Sequence, residues 1–176
     1  MTARVSRALW SATEEGRLPV VVDAASCTEG LTEVAVTAAA EGREFEVVDA
    51  VRFLSSTVVP ALRAQGRLGE PRWETLVLHP TCATARAGLD DELRAVAEAV
   101  ASRVVIPTDW GCCGFAGDRG LLHPELTESA TGPESAHVPP DADAYASANR
   151  TCELAMTMAT GHEYVHIVEL LELATR

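Results

Sequence analysis

The chain has 176 residues, enough for one domain with its own core, and 47% of them are apolar, an ordinary share for a globular protein. Its 14 Lys and Arg against 26 Asp and Glu leave a formal charge of −12, a surface that repels phosphate backbones and argues against nucleic-acid binding. No run approaches the roughly 18 uninterrupted apolar residues of a membrane span, and the opening MTARVSRALW lacks the apolar stretch of a secretion signal. A cytoplasmic protein is expected, peripheral at a membrane only through partners.

The predicted elements alternate. Residues 18–23 (LPVVVD) read as a buried strand, followed by an amphipathic helix over roughly 31–41 that stops near Gly42. Residues 45–51 fit a second strand or a helix start, because 51–65 (VRFLSSTVVPALRAQ) has helical spacing, with Pro60 set to kink or restart it. Residues 66–72 are a polar loop. Then come a strand at 75–79 (TLVLH), a helix at 89–102 with acidic residues at its start, and a strand at 103–107 (RVVIP). A short helix at 123–130 leads into a Gly/Pro-rich loop at 131–142. A short strand at 144–148, a helix from Cys152 to about Thr160 ended by Gly161, and a last helix at 165–174 complete the chain. This order predicts an α/β fold, a mostly parallel sheet flanked by helices.

The five cysteines carry the chemical signal. An odd number in a chain without a secretion signal argues against a disulfide framework. Cys27, Cys82 and Cys152 each fall between a predicted strand and a predicted helix, and Cys112 and Cys113 follow the strand at 103–107. In a parallel sheet those corners share the carboxyl edge, where such folds place their sites. Helix N-termini at that edge stabilise thiolates. Adjacent cysteines on a regular strand would face opposite ways, so Cys112 and Cys113 need a turn, which Gly111 and Gly114 permit. Thiolates from Cys82, Cys112, Cys113 and Cys152, with Cys27 as a further possibility, match a four-iron cluster or a tetrahedral zinc, and softness alone does not choose. A buried free cysteine is the plain alternative for any one of them.

The spacing of Cys82, 29 residues, Cys112-Cys113-Gly114, 37 residues, Cys152 resembles the cysteine-rich CCG domain of heterodisulfide reductase and glycolate oxidase iron–sulfur subunits. The strings LHPTC, DWGCCGFAGDRGLLHPELTESAT, ANRTCELAMTMATG and IVELLELATR are similar to the C-terminal iron–sulfur region of fused FAD-linked D-lactate and related D-2-hydroxy-acid dehydrogenases. The resemblance implies an oxidoreductase component with a 4Fe-4S cluster, or zinc, on the four cysteines. Its partners would be an FAD-binding domain or flavoprotein subunit and a quinone or cytochrome acceptor, with FAD held in a domain absent here. It also implies one CCG domain over 1–176: the tail of a first repeat unit and a connection over 1–74, a complete second unit over 75–176, the whole a fragment of a larger flavoprotein. Two positions depart from the family: Asn149 stands where a closing Cys-x-x-Cys would begin, and Ala24 stands at the equivalent place before Cys27.

Around the cysteines, His79 is either a ligand, a proton relay or a hydrogen-bonded corner histidine. Asn149 either bonds a cluster sulfur or caps a turn. Asp118 and Arg119 either tune the site or pair with each other, and Trp110 and Phe115 shield it from water. His123, His137, His162 and His166 have no metal-like spacing and receive no role. No nucleotide-, flavin- or protease-type motif is present, so no catalytic residue is expected in this chain. A structural zinc or subunit-docking module is the alternative function, and a reversible Cys112–Cys113 pair is disfavoured by its strained ring.

Overall fold

A computed structural model describes residues 2–176. Its fold is α/β, and every strand pair among those residues is parallel, as the alternation of elements predicts. The strands divide into two sheets. Strands β1 (Val20–Val22) and β2 (Val47–Asp49) pair alone. Strands β3 (Trp73–His79), β4 (Ala101–Val105), β5 (Ala144–Ser147) and β6 (Tyr164–His166) lie in the order β4-β3-β5-β6.

Helix α1 (Thr2–Ala12) precedes β1, and α2 (Ala25–Ala39) joins β1 to β2. A continuous helical rod follows β2: α3 (Ala50–Phe53), a π-helical stretch (Leu54–Val58) and α4 (Val59–Ala64). In the larger sheet, α5 (Cys82–Arg86) and α6 (Asp90–Glu98) connect β3 to β4. Helices α7 (Arg119–Leu122) and α8 (Pro124–Ser135) connect β4 to β5, α9 (Arg150–Thr160) connects β5 to β6, and α10 (Ile167–Ala174) follows β6. No helix among the described residues is long and apolar enough to cross a membrane.

Strand β3 is buried on both faces. Leu76 and Leu78 pack with Leu93 and Val96 of α6 and with Leu170 and Leu171 of α10. The opposite face sets Val77 and Tyr145 against Met156 of α9 and Tyr164 of β6. An unbroken apolar run, rather than strict alternation, is what such an interior parallel strand requires.

Several boundaries differ from the sequence reading. Helix α2 starts at Ala25, six residues before the expected 31, and Cys27 sits in its first turn after β1, as Cys152 does in α9 after β5. Residues 45–51 divide between the two readings, strand to Asp49 and helix from Ala50, because the Asp49 carboxylate accepts the Val51 N–H and caps the rod. Pro60 does not break the rod: Val58 and Val59 before it already have helical angles, and its missing N–H falls directly after the π-helical stretch. The helix expected over 89–102 ends at Glu98, since Ala101 already pairs with Trp73, so β4 covers 101–105 rather than 103–107. Alanine-rich sequence favours helix intrinsically, but pairing with a buried neighbour overrides it.

The loop expected over 131–142 is instead helical as far as Ser135, with Gly132 and Pro133 inside α8. That helix persists because Thr127, Thr131 and Glu134 are buried against the body of the fold. The last segment also begins as a strand, β6, before α10 starts at Ile167.

Leu78 is fully buried at the centre of the sheet. Leu78→Ala should lower the unfolding free energy by about 2–5 kcal/mol, read from urea denaturation with an unchanged m-value.

Candidate metal centre

The four thiols of Cys82, Cys112, Cys113 and Cys152 gather beyond the carboxyl ends of β3, β4 and β5. Thr81 caps α5 reciprocally with Thr84, which fixes Cys82 as the first residue of that helix. Asn149 caps α9 through its side-chain oxygen, which accepts the Thr151 N–H and sets Cys152 in the first turn. Capping is therefore the work Asn149 does here. Cys112 and Cys113 lie on the loop after β4. There Gly114 has φ +71°, and a Cβ at that position would lie 2.8 Å from the Ala130 Cβ and 2.9 Å from the Leu126 carbonyl oxygen. Only glycine fits this turn.

The thiols form an inner and an outer pair. Cys113 and Cys152 are buried, with their Sγ atoms 3.0 Å apart, against Phe115 and Ala155. Cys82 and Cys112 are exposed, and Cys112 lies near enough to Cys82 to act on its thiol. Phe115 is thus the shield expected of it, while Trp110 belongs to none of the buried clusters. Cys27 is exposed on α2 and takes no part in the thiol–thiol interactions.

Within the inner pair the protons are unequally held. The hydrogen bond from Cys152 brings the Cys113 thiol down to about 6 against the opposing effect of burial, helped by the Phe115 backbone N–H and by the nearby His79 ring. Cys152 is raised, because it donates that hydrogen bond and because it is buried. The pair is a thiolate accepting from a thiol. Cys82 is also raised, by burial first and then by Cys112, with Arg86 opposing.

Beneath the inner pair lies a buried histidine–carboxylate contact that no sequence spacing reveals. His79 ends β3 with no solvent exposure, and its Nδ1 stands 2.8 Å from both carboxylate oxygens of Glu134, itself 1% exposed, on α8. Residues 55 apart meet here because α8 packs along the sheet face beside α9. The other ring nitrogen of His79, Nε2, is buried without a partner. A buried polar atom left unpaired costs about 1–3 kcal/mol. A second buried acid, Glu153, adjoins Cys152 and pairs with Arg150 at 2.9 Å. Asp118 and Arg119 are exposed and make no ion pair among the described residues, so of the two readings offered for them the local pair is not formed. Of the histidines given no role, His162 stacks on Tyr145 and His166 caps α10 through Nδ1.

As they stand, no three Cys, His, Asp or Glu side chains among the described residues surround a common ion position. Sulfurs around a tetrahedral zinc, at about 2.3 Å from the metal, lie about 3.8 Å from one another, so the inner pair would open by about 0.8 Å to receive one. The donor chemistry fits a thiolate-bound metal or cluster: two thiols in contact, the Cys113 thiol brought down to about 6, and two further cysteines acting on them. No protein-family model matches the chain, and no curated protein is significantly similar to it.

The thiol pair makes the metal-free protein pH-sensitive in two directions. The folded value of Cys113, about 6, lies below the ordinary 9.0, so its stabilising contribution is present above 9.0 and is lost as pH falls through 6. Cys152 is raised, so its contribution is present below 9.0 and is lost as pH rises beyond it. Thermal melts under anaerobic, reducing conditions should show stability rising from pH 6 towards 9 and falling above, and Cys113→Ala should flatten the rise.

Proposed function

We propose that this chain is an electron-transfer module whose thiolates at Cys82, Cys112, Cys113 and Cys152 hold an iron–sulfur cluster of the 4Fe-4S type. It would receive electrons from an FAD-binding domain or subunit of a D-2-hydroxy-acid dehydrogenase of D-lactate type and pass them to a quinone or cytochrome. The observation that carries this reading is the buried Cys113–Cys152 contact, 3.0 Å between sulfurs from the loops after β4 and β5, with Cys82 and Cys112 close enough to act on the same thiols. The CCG resemblance of the sequence supports the assignment of partners and substrate class.

Each residue has a definable part. Cys113, ionised near neutral pH, offers a ready ligand, and Cys152 follows once its proton is displaced. Gly114 keeps the loop turned so that adjacent cysteines serve one centre, and Phe115 excludes water from its inner side. When bound, a cluster supplies single-electron steps. The exposed Cys82 and Cys112 lie on the side from which a partner would approach. A second reading is a structural zinc module for docking. It is favoured by the 3.0 Å separation of the inner sulfurs, which is nearer the span across one ion than a spread over several irons.

Iron, sulfide and zinc analysis after anaerobic purification separates the two. Near-stoichiometric iron and sulfide support the cluster, one zinc per chain supports the docking module, and absence of both overturns the metal-site reading. Cys112→Ser and Cys113→Ser should each abolish or severely weaken metal binding, because serine lacks the soft thiolate, while Cys27→Ser should change it little. Equal metal content in all variants would contradict the ligand set.

The isolated chain should not oxidise D-lactate, D-2-hydroxyglutarate or glycolate with any acceptor, since hydride removal needs a two-electron acceptor that this sequence shows no motif to bind. Steady-state assays with a dye acceptor, with and without an added flavin domain, test this.

A further inference from the structure

We propose that the Nε2 atom of His79 is itself a ligand, so that the centre is a mixed thiolate–imidazole site rather than an all-cysteine one. This rests on the reading that the cysteines hold a metal.

The placement follows from how α9 lies on the sheet. Val77 and Met156 pack together on one face, and α9 runs against the strand direction. One helical turn back from Met156, about 6 Å, is Cys152. Two residues on from Val77, about 7 Å along the strand and on the same face, is His79. The imidazole therefore lies under the Cys113–Cys152 pair, near enough to act on the Cys113 thiol. Ser147, paired with His79 across β3 and β5, donates its hydroxyl to the His79 carbonyl at 2.9 Å and holds the strand end in place.

The tautomer is set from the far side. An ionised carboxylate only accepts hydrogen bonds, so Glu134, with both oxygens 2.8 Å from Nδ1, keeps the proton on Nδ1. In the neutral ring Nε2 then presents a bare lone pair, fully buried and without a partner. Metal-bound histidines carry this pattern: one nitrogen on the metal, the other N–H on a carboxylate that orients the ring and raises its basicity. His166 also leaves a buried Nε2 unpaired, at the start of α10; what sets His79 apart is the carboxylate on its other nitrogen and its place on the sheet face under the inner thiol pair. The inner ligand set becomes Cys113, Cys152 and His79, drawn from three elements, and an exposed cysteine completes it. Replacing one thiolate by a neutral imidazole removes one negative charge from the centre and raises its reduction potential.

The full chain, loaded anaerobically with Co²⁺ as a probe and separately reconstituted with iron and sulfide, tests the assignment. Pulsed EPR of the paramagnetic wild-type protein should show nitrogen coupling that changes when histidine is labelled with ¹⁵N. This needs no substitution, so it does not depend on any variant folding. His79→Gln should lose that coupling and bind Co²⁺ at least about 10-fold more weakly, while Glu134→Gln should keep it with affinity reduced about 10–100-fold. Metal bound without histidine nitrogen coupling, or coupling unchanged in His79→Gln, overturns the ligand and leaves the cysteine centre standing. A wild-type chain that takes up neither cobalt nor iron overturns the centre, and this ligand with it.

Discussion

The parallel, in-register pairing of β3 with β5 is the constraint on which the rest depends. Leu76 lies against Ala144 and His79 against Ser147, so both strands end at the same edge and level. Whatever follows them must emerge side by side: Thr81 and Cys82 from one, Asn149 and Cys152 from the other. The strand order β4-β3-β5-β6 adds a reversal at this point, since the chain leaves β3 towards β4 and returns on the other side to form β5. Crevices at such reversals are where open parallel sheets accommodate ligands. The loop after β4, with Cys112 and Cys113, reaches into that crevice.

The same edge concentrates groups that a core ordinarily rejects. His79, Glu134 and Glu153 are all buried, and each is tied to an element that positions a cysteine or covers one. Buried charge is poor evidence of stability, because losing water offsets much of the attraction between partners. Its presence here points to a task beyond holding the fold. The capping of α5 by Thr81 and of α9 by Asn149 serves the same precision at lower cost, fixing where each first turn begins.

Much of this was legible in the sequence, and the failures have physical causes. Strand β3, helix α9 and the Gly161 stop were readable because their signals are local: an apolar run, a helical period, a glycine with φ +75°. The meeting of Cys113 with Cys152 followed from one topological fact, that parallel strands share an edge. Helix α8 beyond Ala130 was not readable, because Gly132 and Pro133 signal a loop and only burial of Thr131 and Glu134 holds them in a helix. Glu134 was missed for the same reason, as its partner lies 55 residues away and nothing local distinguishes it from a surface acid. Strand β6 is three residues long, too short for periodicity to separate it from the helix that follows. The division into an inner and an outer thiol pair was also beyond the sequence, since it depends on Phe115 and Ala155 closing over one side only.

That one-sided closure makes the thiol cluster directional. Chelators, dioxygen and alkylating reagents meet the exposed Cys82 and Cys112 more readily than the buried Cys113 and Cys152. Damage should therefore run from rim to floor, and the rim can be lost while the floor still holds its protons and its shape. A site built this way fails by stages, and its earliest stage is the one most open to repair by a thiol from solution.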